Sequence, residues 1–138
     1  MTNSSLARTF LGLNATFSVI SGLAFLIAGE MISQIIFSQP DFWKILIVRG
    51  IGVGLLLFAA DLAIQARNEQ VTRQKIILFC IQDLAWIIFS AVMILGFGWL
   101  FTPNGILAID VVAVIVAILA IGQFIGVRRM AASEKQVA

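Results

Sequence analysis

The sequence predicts an all-α integral membrane protein: a four-helix transmembrane bundle with antiparallel neighbours and both termini in the cytoplasm. Three observations predict it. Of 138 residues, 61% are hydrophobic and only 12% are charged, with a mean hydropathy of +1.07. A soluble domain of this length has too little interior to hide so much apolar side chain. Four apolar stretches are each long enough to cross about 30 Å of hydrocarbon, which takes roughly 20 helical residues. The lysines and arginines, finally, are shared unequally between alternate connections.

The first span is expected from about Phe10 to Ile32, its helix running on toward Phe37. The second is expected over Lys44 to Ala66, the third over Lys75 to Phe97 and the fourth over Pro103 to Val127. Residues 128–138 form a polar C-terminal tail, and the whole chain makes one domain. No span alternates apolar and polar residues with a period of two, so helices are expected rather than barrel strands. The connections are short. Arg67 to Gln74 is polar, Gly98 to Thr102 is minimal, and Thr102-Pro103 reads as an N-cap followed by proline at the first helical position. Arg8 ahead of an apolar run has the look of a secretory leader, but the run is too long and three more spans follow. A retained anchor is expected.

With a cytoplasmic N-terminus, the inner side holds Arg8, Arg67, Arg73, Lys75, Arg128, Arg129 and Lys135, and the outer side only Lys44 and Arg49. Seven against two sets the orientation and disfavours dual topology. Phe37, Phe42, Trp43, Trp99 and Phe101 gather where the outer interface should lie. The expected location is a bacterial inner membrane. The net charge of +2 suits anionic lipid at the cytoplasmic leaflet, and no basic stripe or stacking platform for nucleic acid is present.

Composition excludes several chemistries together. With no His and one Cys, a His-ligated haem, a Cys/His zinc site, an internal disulfide and a His general base all lack their parts. Neither a metal nor a cofactor is expected. Quinone-linked thiol oxidation needs paired cysteines, and Cys80 stands alone.

The polar residues within the spans carry the functional reading. An unpaired charge at mid-membrane costs about 2.5–3.5 kcal/mol, so pairing, protonation or hydration is expected for each. Arg49 and Asp110 fall at one depth near the outer surface, with Glu30 close by. They are expected to form an interhelical ion pair or, with Arg49 as anchor, a site for an anion. Asp61 and Asp83 fall at one depth near the inner surface, with Asn14, Gln82 and Gln123 at or above it. No Lys or Arg shares that level. These five are expected to make a cytoplasm-facing pocket for a proton, a cation or an amine, with Trp86 as its roof or its cation–π face. The competing reading has the amides simply bonding the carboxyls and holding the bundle together.

Helical geometry supports convergence in part. Gly50, Gly54, Asp61 and Gln65 fall within about 60° on the second helix, and Gly50-x-x-x-Gly54 is expected to serve internal packing. Asn14, Ser18, Ser21 and Gly22 make a stripe on the first helix. Asp83, Trp86, Ser90 and Ile94 make one on the third. Asp110 and Gln123 lie about 140° apart on the fourth and cannot share one face of a straight helix. Asn14-x-x-Phe17-x-x-x-Ser21-Gly22 also resembles Asp83-x-x-Trp86-x-x-x-Ser90-Ala91, a weak internal repeat.

The expected function is binding or transport of a small molecule, cation or proton through the buried carboxylates. The alternative is a non-catalytic structural or scaffold subunit of a membrane assembly. Catalysis is not expected, because no nucleophile, cofactor motif or metal set accompanies the carboxylates. The partners expected are membrane lipids and, for a chain of only 15.0 kDa, a second copy or another membrane protein.

Overall fold

Helices account for almost all of the computed structural model, which describes residues 3–68 and 70–137 and, within these, the side chains from 5 through 132. Lys135, counted above with the inner charges, lies outside the described side chains. The elements are α1 (Asn3–Ile27), α2 (Gly29–Ile36), α3 (Phe42–Arg67), α4 (Arg73–Phe97), a 3-10 turn (Gly98–Leu100) and α5 (Pro103–Val137). Four stretches, Ser5–Ile27, Phe42–Arg67, Arg73–Leu100 and Pro103–Ala132, are helical, long and apolar enough to cross a membrane. The polar tail continues α5 as helix through Val137.

The first span is not one helix. It breaks at Ala28, whose φ of −104° and ψ of 22° leave the helical region. The hydrogen bonding runs on across the break, from Ala28 N–H to Ala24 O at 2.8 Å and from Ile32 N–H to Ala28 O at 2.9 Å. The chain therefore kinks without turning back. Close approach explains the place: a side chain at Gly29 would put its first carbon 2.8 Å from Arg49 Cγ.

Local chemistry sets the other helix ends. Asp41 caps α3 by accepting Lys44 N–H at 2.9 Å and pairs with Lys44 Nζ at 2.7 Å. The hydrogen bond from the Lys44 ammonium, and then that from its N–H, hold the Asp41 carboxyl below its ordinary value. Thr102 caps α5 as expected, its hydroxyl accepting Gly105 N–H at 2.9 Å with Pro103 at the first helical position. Thr102 N–H also donates to Ile36 O at 2.8 Å, and the Phe37 and Phe101 rings stack with centroids 5.5 Å apart. These bonds tie the end of α2 to the start of α5.

Packing is uneven around the bundle. Helix α1 packs along α3 and against α5, and α4 packs against α5, whereas α3 makes no comparable packing with α4 or α5. Small residues set the close approaches. A Cβ on Gly22 would sit 2.9 Å from Gly52 O, and one on Gly52 would sit 2.9 Å from Gly22 O. Gly126 lies against the backbone of Ala7, and Gly122 against the Phe10 ring. The small-x-x-x-small pair used between helices is thus Gly122 and Gly126.

Gly50-x-x-x-Gly54, expected to pack internally, does not. A Cβ at either position would meet nothing within 4 Å. Two residues turn a helix by about 200°, and the buried stripe of α3 is Val48, Gly52, Ala59 and Leu62, so Gly50 faces away from α1. At the end where α1 begins, Ala7, Leu11, Leu62, Ile76, Phe79 and Val127 form a closed apolar core. The site lies directly above it.

Candidate functional site

The stripes that bury the apolar core carry polar residues one step further along. On α4 the buried positions are Ile76, Phe79, Asp83 and Ser90, spaced to share a face. On α1, Leu11 is followed by Asn14 and Ser18, and on α5, Leu119 is followed by Gln123, all of them buried. Three helices therefore bring Asn14, Asp83 and Gln123 to one point. Asn14 Nδ2 donates to Asp83 Oδ2 at 2.9 Å, and Gln123 Nε2 donates to the same oxygen at 3.2 Å. Cys80 extends the network, its thiol 3.8 Å from both Gln123 Oε1 and Ala120 O. Asp83 is 4% exposed and no Lys or Arg bonds it among the described residues. A carboxylate in apolar surroundings is tolerated only with such donors or by taking up a proton.

Both donors converge on Oδ2, and the carboxyl forms the floor of a cavity of about 310 Å³. All four long helices line it. Phe17, Phe25, Phe58 and Trp86 supply four aromatic rings, and Ser18 and Ser21 supply hydroxyls. Of the lining residues, Gly54 on α3 and Gln82 on α4 are the exposed ones. They stand on α3 and α4, whose backbones stay apart although Phe58 and Phe79 meet edge to face below them, with centroids 5.8 Å apart.

Of the residues expected in the inner pocket, the structure brings together Asn14, Asp83, Gln123, Gln82 and Trp86. Asp61 is a correction. It is exposed and absent from the cavity wall, because it precedes the fully buried Leu62 by one residue and so points about 100° away from the packed stripe.

The outer group is a second correction. Arg49, Asp110 and Glu30 are all exposed, and none makes a salt bridge among the described residues, where Lys44 and Asp41 pair instead. The cause is architectural: Arg49 is on α3 and Asp110 on α5, helices that do not pack together. Arg49 lays its stem along Gly29. On α5 the angular conflict resolves simply, with Gln123 inward and Asp110 outward.

Cys80, Ser18 and the rings of Phe17, Phe25 and Phe58 belong to the site and were not singled out as site residues from sequence. Cys80 had a signal, since it stands one turn before Asp83 on the same face. The two motifs of the weak repeat meet here, Asn14 and Asp83 through their hydrogen bond and Phe17 and Trp86 across the cavity wall. No family model matches the chain, and neither a curated protein nor a solved structure matches it.

Proposed function

We propose that the chain binds, and by extension transports, a small molecule held in the four-helix cavity beside Asp83. The observation that carries this reading is a carboxyl group 4% exposed, without a basic partner among the described residues, at the floor of a cavity of about 310 Å³. Cavities of roughly that size and upward are the ordinary dimensions of small-molecule sites, and a few polar groups in an apolar wall are their ordinary make-up. A titratable group inside the membrane is a functional residue by default, because insertion selects against one that does nothing.

Trp86 supplies the test, since it lines the cavity while Trp43 and Trp99 are 70% and 76% exposed. In a Trp43→Phe/Trp99→Phe background, Trp86 emission should respond saturably to at least one of decylamine, decanol and decanoate. Silence toward all three would remove the binding reading and leave the scaffold one.

We also propose an inner-membrane location with neighbouring helices antiparallel and both termini cytoplasmic. Contacts between Gly22 and Gly52, and between Gly12 and Ala66, favour opposite directions for α1 and α3. Arg8 donates to the carbonyls of Ala66 and Arg67, so these charges share one end. The orientation then rests on the excess of positive charge at that end. Reporter fusions active only in the cytoplasm should be active at both termini, and a periplasmic signal from either would reverse the orientation.

A further inference from the structure

We propose that the ligand is a linear aliphatic amphiphile with one cationic head, which reaches Asp83 sideways from the lipid between α3 and α4; this rests on the binding role proposed above. Shape is the first reason. The cavity extends along α1 from Asn14 to Phe25, a rise of roughly 16 Å, so it is a slot and not a sphere. Its one ionisable group, Asp83, and most of its polar groups are at one end, with the Ser21 hydroxyl partway along. Asp83 and Asn14 form the floor, Ser18 stands one turn above, and the far end closes on Phe25, Ile51 and Val112. A ligand matching that gradient has a single polar head and a long apolar tail.

Charge chooses the head. The amide nitrogens of Asn14 and Gln123 are already turned onto Oδ2, and no Lys or Arg lines the slot, so an anion would find only the neutral Ser18, Ser21 and Gln82 donors, beside a carboxyl group. An ammonium can approach the carboxyl and lie near the Trp86 and Phe17 rings, a combination that a neutral hydroxyl uses far less well in a poorly hydrated site.

The mouth is set by helix packing. Gly54 and Gln82 are the exposed lining residues, and their helices, joined lower down by the Phe58–Phe79 contact, keep their backbones apart. That gap opens on the flank of the bundle, where acyl chains lie. Gly54 has open space around the place of a Cβ, so a side chain there would obstruct the mouth without displacing anything.

The test uses the full chain carrying Trp43→Phe/Trp99→Phe in phosphatidylcholine nanodiscs, with Trp86 emission as the readout. Decylamine should bind about tenfold more tightly than decanol or decanoate, and Asp83→Asn should cut that advantage below about threefold. Ser21→Leu fills the slot without touching the carboxylate network, and should weaken decylamine at least about tenfold. It keeps the test decisive if Asp83→Asn does not fold. Gly54→Leu should slow decylamine association about tenfold. Decanol or decanoate binding as well as decylamine would overturn the cationic ligand yet leave a binding cavity in place. Unchanged association in Gly54→Leu would overturn the lateral mouth. Silence from every probe would instead remove the binding role itself.

Discussion

Gly52→Val will destabilise the bundle by about 3 kcal/mol, the upper end of what overpacking a close contact costs, while Gly50→Val, two residues away, will change stability by less than about 0.5 kcal/mol. The contrast follows from what each new side chain meets. At Gly52 the first carbon alone falls 2.9 Å from Gly22 O, 3.0 Å from Phe25 Cβ and 3.1 Å from Leu26 N. Two of these are backbone atoms of α1, which no rotamer change can move aside. At Gly50 the same atom meets nothing within 4 Å. Helix α1 packs against both α3 and α5, so pushing it off α3 also strains its seat on Gly122 and Gly126. Reversible unfolding in mixed micelles, followed by helical circular dichroism, measures both variants. Equal losses at the two positions would mean that α3 packs through its other face.

The same pair of glycines marks how far the sequence could be read. Span number and placement were legible because hydrocarbon thickness leaves little freedom over where an apolar helix starts and stops. Which face turns inward was harder. In water the apolar side of a helix is the buried side, but in lipid both sides are apolar and only small or polar residues report the phase. Helix α3 carries two competing stripes, Gly50-Gly54-Asp61 and Gly52-Ala59-Ala66. The more familiar spacing of the first concealed the regular seven-residue step of the second. Choosing the wrong stripe put Asp61 into the pocket and made Gly50-x-x-x-Gly54 the packing motif. On α1 and α4 the stripes singled out put Asn14, Ser18, Asp83 and Ser90 inward, and all four are buried. The outer pair failed for another reason. Depth says which residues share a level, but not which helices pack closely, and Arg49 and Asp110 lie on helices that do not.

Asp83→Leu will destabilise the protein by about 3 kcal/mol, whereas the triple change Asn14→Leu/Asp83→Leu/Gln123→Leu will recover all but about 1 kcal/mol of that loss. Removing the carboxylate alone strands two amides that are 1% and 0% exposed, and a stranded buried donor costs about 1–3 kcal/mol. Hydrogen bonds between membrane helices average only about 0.6 kcal/mol, because polar groups in the unfolded chain also find partners. The larger figure applies here, since Asn14 and Gln123 sit directly above a closed apolar core and, without Asp83, only the weak Cys80 thiol remains for Gln123. Replacing all three removes every stranded group together and leaves three apolar side chains facing one another. A triple variant as unstable as the single one would show that lost packing, and not unpaired amides, sets the cost. Stability and function then come apart in one molecule. If the network were only an internal fastening, the stable triple variant would keep whatever role the protein performs. With a site at Asp83, it will fold and insert but lose the preference for decylamine that Trp86 reports.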